Sequence, residues 1–180
     1  MEEADGLPVV VVDSADSVAA VAVSVGAAPV PAGKAMRTKE FLSKLEHDQI
    51  VQAIRDAESK TSGEIRVYIQ RGKLDVDPLI AAQKKFHRLG MDKTPERNAV
   101  LIFVAPRAHR FAVVGDKAIH EKCGEHLWQR LVDKMREHFR NEKFSQALVE
   151  AIEETGKALA SHFPKRSTSS HELPDEIVES

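Results

Sequence analysis

The chain has 180 residues, 42% hydrophobic and 30% charged, with a formal net charge of -2. That length buries one core and is too short for two typical domains. A near-neutral balance supplies no field for nucleic acid or anionic lipid, and no nucleic-acid partner is expected. The single cysteine, Cys123, excludes an internal disulfide framework and suits a reducing compartment, so a cytoplasmic location is expected.

The first 35 residues are rich in Ala, Val, Gly, Pro and acids, with Lys34 as their one basic residue. Their apolar run from Val18 to Val30 is interrupted by Ser24 and Gly26 and falls below the roughly 20 residues of a spanning helix. Glu2, Glu3, Asp5, Asp13 and Asp16 precede it, where a secretory signal carries basic residues. Neither a transmembrane segment nor a signal peptide is expected. Residues 1–35 read as a disordered extension, with Met36 as a candidate start. A polar tail over 164–180 reads as disordered too.

Between these ends the elements follow in order. Ser43-x-x-Glu46 has the spacing of a capping box, and Ile50, Ile54 and Ala57 then recur on one helical face. Gly63 is the expected stop. Ile65, Val67 and Ile69 alternate with Arg66, Tyr68 and Gln70, which predicts a half-buried strand over 64–70. Asp77-Pro78 pairs a cap with proline at the first helical position, opening a helix with Leu79, Ala82, Phe86 and Leu89 on one face, closed by Gly90.

The continuous apolar run Ala99 to Ala105 predicts a central strand covered on both faces. Pro106-Arg107-Ala108-His109 is a tight connection to a third strand over 110–115, antiparallel to the second. Trp128, Leu131, Met135 and Phe139 stripe one further helix, with Asn141 as its stop. Phe144, Leu148, Ala151, Ile152, Leu159 and Phe163 stripe the last, which Pro164 ends. Gly156 in that helix predicts the close approach of another element. The order predicts a three-layer α/β sandwich: parallel strands 64–70 and 99–105, an antiparallel strand 110–115, and about four flanking helices.

Four blocks carry a family resemblance. They are Glu58 through Ile65, Arg97 through Ala105, Val114 through Ile119, and Phe139 through Phe144 to Ala147-Leu148. Together they resemble the TPM domain family over about Phe41 to Phe163. The family occurs in bacteria and chloroplasts, and its members resemble accessory proteins of photosystem repair, membrane-anchored bacterial proteins and auxiliary subunits of receptors. The resemblance implies a protein partner and a role in assembly support. Some members are associated with acid phosphatase activity and some with calcium, so a calcium-dependent phosphatase is the alternative.

Parallel strands place the C-terminal ends of the first two together, the usual ligand position in an open α/β sheet. A calcium site there wants clustered carboxylates, and Asp75 and Asp77 are the candidate ligands, with Asp77 equally suited to cap the helix. Where related sequences commonly carry an acidic residue in the second loop, this chain reads Pro-Arg-Ala-His. Arg71, Lys73, Arg107 and Arg110 are alternatively an anion site or solvated loop side chains. At the opposite end, Glu64, Arg97, Asp116 and Lys117 are candidates for a polar pocket or an ion-pair network. His120-x-x-Cys123-x-x-His126 has ligand-like spacing, but no fourth ligand is evident and Gly124 interrupts the helix, so zinc is not expected. No phosphate-cradling glycine loop or nucleophile–base pair stands out, and no catalytic residue is assigned.

Overall fold

The structure is a computed structural model that describes residues 9–10, 21–24, 38–165 and 177–179. Its strands are β1 (Val9–Val10), β2 (Val21–Ser24), β3 (Ile65–Ile69), β4 (Val100–Ala105), β5 (Arg110–Gly115) and β6 (Ile177–Glu179). The helices are α1 (Thr38–Ser43), α2 (His47–Glu58), α3 (Pro78–Arg88), α4 (Lys117–Arg140) and α5 (Phe144–His162). Sheet order is β1-β2-β5-β4-β3-β6. β3 runs parallel to β4, and β5 runs antiparallel to β4 from Ala105↔Arg110 to Val100↔Gly115, as the hydrophobic pattern requires. Most of the two terminal segments lies outside the described residues, their expected disorder and the start at Met36 included. The described parts of those segments, β1, β2 and β6, join the sheet.

Alternation along the strands sorts the core into two layers. Ile65, Val67 and Ile69, with Val100, Ile102, Val104 and Val113, face α1, α2, α4 and α5. Tyr68, Leu101, Phe103, Ala112 and Val114 face α3 through Leu79, Ala82 and Phe86. The sandwich is therefore three layers deep, with four of the described α-helices on one face and one on the other. β3 is buried along its whole length, where alternation with polar residues predicted a half-buried strand. It lies between β4 and β6, and on its second face Tyr68 stacks on Phe103 with ring centroids 5.5 Å apart, under Lys85 of α3, whose Nζ lies 4.0 Å from the Tyr68 ring centroid.

Two local expectations are corrected. Ser43 does not open a capping box: it ends α1, and its hydroxyl donates to the Glu40 carbonyl at 2.8 Å. α2 begins after Glu46, whose backbone N–H donates to Ser145 Oγ at 2.9 Å, so a hydroxyl on α5 takes the N–H that a capping box satisfies locally. Gly63 does not stop α2, which ends four residues earlier with Ser59 in a right-handed conformation. Glycine is needed at 63 for space, since a Cβ there would lie 2.6 Å from Leu159 Cδ2. The close approach read from Gly156 is present, because a Cβ there would lie 2.6 Å from the Ala57 Cβ. These glycines seat α5 against α2 and the start of β3.

Candidate functional site

The carboxyl ends of β3 and β4 open into a cleft of about 510 Å³, lined by Leu74, Asp75, Val76, Asp77, Ala108 and Arg110. Its walls are the loop after β3 and the turn Pro106–Ala108 that joins β4 to β5. That turn closes with His109 in the left-handed region, φ 52°, and reverses the chain within the space the two strands allow. The topology expected from the sequence thus brings both candidate acids to one cleft.

Asp77 has a structural task there. Its Oδ1 accepts from the Leu79 backbone N–H at 2.8 Å, capping α3 ahead of Pro78. Asp75 and Asp77 are both exposed, and Arg110 shares the cleft with them. Among the described residues, no three His, Cys, Asp or Glu side chains gather into a group able to hold a metal ion. A hard cation takes six to eight oxygens, so two carboxylates form a partial ligand set. Of the four basic candidates, Arg110 lines the cleft, while Arg71, Lys73 and Arg107 are exposed on the flanking loops. The Arg71 carbonyl accepts from Thr38 Oγ1 at 3.0 Å, which ties the loop after β3 to α1.

The loop that lines this cleft and the helix that follows it carry a feature that the sequence did not reveal. Val76 and Ile80 are each 46% exposed and are the exposed large hydrophobic residues among the described ones. Val76 lines the cleft, and Ile80 stands on the first turn of α3, four residues on. Ile80 belongs to no position of the buried stripe Leu79, Ala82, Phe86, so helical periodicity was the available signal.

At the opposite end the structure brings Arg97 and Asp116 together and leaves Lys117 out. Arg97 Nε donates to Asp116 Oδ2 at 2.8 Å and Nη2 to Oδ1 at 2.9 Å, a two-pronged contact. Asp116 is 0% exposed and also accepts from the Lys117 backbone N–H at 2.7 Å, which caps α4. Hydrogen bonding to this carboxylate raises the Arg97 pKa above its ordinary value, against a smaller opposing effect of burial. Lys117 is exposed and its Nζ lies 3.8 Å from Glu121 Oε1. Glu64 is buried, and its carbonyl accepts from the Val100 N–H at 2.8 Å where β3 meets β4.

Further polar residues at this end were assigned no role from the sequence. Ser62 Oγ donates to Glu96 Oε2 and accepts from Asn98 Nδ2, the latter at 3.2 Å. Buried Glu58 accepts the first N–H of β3, Ile65 N, at 2.6 Å. Thr61 Oγ1 donates to the Phe163 carbonyl and accepts from the Gly63 N–H at 3.0 Å. Each of these groups satisfies a backbone or side-chain partner at a chain crossing, which is a structural arrangement. No helix among the described residues is long and apolar enough to cross a membrane.

Comparison with known proteins agrees with this fold. The solution structure of BA42 protein from the psychrophilic bacterium Bizionia argentinensis is similar, with a TM-score of 0.70 and 39% sequence identity. The match covers 75% of this chain and 92% of that one. No curated protein matches the chain. The TPM domain profile matches residues 36–158, which contain β3, β4, β5, their crossover helix and both ends described above. On that match the chain belongs to the TPM domain family.

Proposed function

We propose that this TPM domain is a non-catalytic interaction module that holds a protein partner at the cleft beyond β3 and β4, in the reducing environment of the cytoplasm. The observation that carries the reading is the exposure of Val76, which lines the cleft, together with that of Ile80 on the adjoining first turn of α3. Exposed aliphatic side chains beside a concave surface favour a partner that buries them, and two residues still 46% exposed supply about 1.5–3 kcal/mol of further apolar burial. Among the described residues no nucleophile–base pair lines the cleft, whose polar side chains are Asp75, Asp77 and Arg110. The free, half-buried Cys123 fits the cytoplasmic assignment.

A photo-reactive residue placed at position 76 or 80 in the native host tests the reading. A defined protein adduct is expected from both positions and none from position 140, on the far end of α4. An Asp substitution at the other of positions 76 and 80 should abolish it. Adducts of equal yield from all three positions would refute the module.

A calcium-dependent acid phosphatase is the second reading, favoured by the placement of Asp75 and Asp77 in one cleft. Calcium calorimetry and phosphatase assay of the wild type against Asp75→Asn/Asp77→Ser decide it. The Ser at 77 keeps an N-cap oxygen, so folding and ligation are separated. Saturable binding with turnover lost in the variant would replace the interaction reading; absence of both removes the enzyme.

A further inference from the structure

We propose that α4 contains an acid-opened elbow at Gly124, latched by a hydrogen bond from the Trp128 indole to the His120 imidazole. The helix runs Lys117–Arg140, but Gly124 has φ 66° and ψ -174°, which breaks it into a short segment over 117–123 and a long one over 125–140. A Cβ at position 124 would meet nothing within 4 Å, so glycine is required there for its backbone conformation and not for packing.

The latch spans the break. Trp128 Nε1 donates to His120 Nδ1 at 3.2 Å. In a straight helix residues eight apart are separated by about 12 Å along the axis, while contacts form at three and four. The His120–Trp128 contact therefore reports the bend itself. Its tryptophan half is fixed, since Trp128 is fully buried and a Cβ on Gly115 would lie 2.5 Å from its ring. The first segment is held at its start by the Asp116 cap and by buried Ile119.

The bond needs a neutral imidazole with its proton on Nε2, because Nδ1 is the acceptor. Protonation at Nδ1 turns that acceptor into a donor facing another N–H, and the latch is lost. Burial lowers the His120 pKa below 6.5, and the opposing fields of Glu125 and Glu121 are smaller. Beside it on α4, Glu121, Lys122, Glu125 and His126 are exposed. Among the elements packed on α4, β2 and residues 112–115 of β5 carry no titratable side chain. The carboxylates by which α5 reaches α4, Glu150 and Glu154, are engaged by His138 and Lys134. Asp116 is held by Arg97. The folded pKa lies below the unfolded one, so the latch is fully in place above about pH 6.5 and is lost as pH falls through the folded value.

Trp128 is the single tryptophan, so its fluorescence reads the latch directly in the full chain. Titration from pH 8 to 4.5 should give a reversible one-proton transition centred below 6.5, with unchanged far-ultraviolet circular dichroism. In His120→Gln, which keeps an acceptor and does not titrate, the transition should vanish. Cys123 adjoins the break, and its modification by dithiodipyridine should accelerate several-fold through the same midpoint in the wild type alone. In the wild type, the Trp128 indole N–H resonance should shift in step with the His120 ring signals, which keeps the test valid should the variant misfold. An indole resonance indifferent to His120 titration, or identical transitions in wild type and variant, would overturn the elbow.

Discussion

Replacing Asp116 by Ala should separate the contribution of the Arg97–Asp116 pair from ordinary surface electrostatics. The carboxylate is 0% exposed and accepts three hydrogen bonds, two from Arg97 and one from the Lys117 N–H, all at 2.7–2.9 Å. Hydrogen bonds to a charged group contribute about 1.5–3 kcal/mol each, and an N-cap about 1 kcal/mol. The guanidinium is 30% exposed and regains water once its partner is gone, which reduces the loss. The expected cost is about 2–4 kcal/mol, a fall in Tm of about 5–15 °C for a domain of this size.

The asymmetry of exposure makes a sharper test. Arg97→Met leaves the fully buried carboxylate with only its cap donor, so it should cost about 3–5 kcal/mol, more than Asp116→Ala. Urea denaturation of both single variants and the double variant closes the cycle, with an expected coupling of about 1–3 kcal/mol. Coupling near zero, or an Asp116→Ala loss below about 0.5 kcal/mol, would refute the reasoning. In that event the pair is equivalent to an exposed ion pair, and the junction between the 92–98 loop and α4 is held by backbone bonds such as Ala118 N to Arg97 O.

Three further outcomes are expected. Asp77→Ala should destabilise by about 1 kcal/mol through loss of the α3 cap, and Asp77→Ser should recover most of it in the same thermal melt. Equal losses in both variants would show that the cap is not the cause. Gly156→Ala should destabilise by about 1–3 kcal/mol although alanine favours helix by about 1 kcal/mol, because its Cβ would lie 2.6 Å from that of Ala57. Adding Ala57→Gly should relieve that contact, and a stabilised single variant would contradict the packing argument. Hydrogen bonds from Gln146 and His138 hold the Glu150 carboxyl below its ordinary value of 4.5. The stability it contributes is present above about pH 4.5 and lost as pH falls through the lowered value. Urea midpoints of Glu150→Gln should accordingly vary less with pH across that acid window, with a loss under about 1 kcal/mol at neutral pH, since the side chain is 36% exposed.

Short-range signals made the central fold legible. Period-two and period-3.6 patterns located β3, α3 and the two long helices, a continuous apolar run located β4, and the tight Pro106–His109 connection made β5 its antiparallel neighbour. Asp77 was readable as a cap because cap and N–H are two residues apart. Gly156 was readable because glycine weakens a striped helix, and a neighbour that leaves no room for a Cβ offsets that cost. The capping box at Ser43 and the stop at Gly63 misled for one reason. Both positions answer to a distant residue: Ser145 accepts the N–H of the actual N-cap, Glu46, and Leu159 leaves room only for glycine at 63.

The sequence alone determined the order, direction and layering of β3, β4, β5 and the helices α2 to α5, and the end of the sheet where Asp75 and Asp77 meet a cleft. Hydrophobic alternation and cap spacing act within a few residues, so they can be read along one chain. Only the tertiary structure decided that Arg97 grips Asp116 while Lys117 turns away, that Ser62 joins Glu96 and Asn98, and that Val76 and Ile80 stay exposed beside the cleft. It also decided that Trp128 reaches back across Gly124 to His120. Those pairings depend on how rigid elements are oriented once their apolar faces are packed, and that orientation is a property of the whole core.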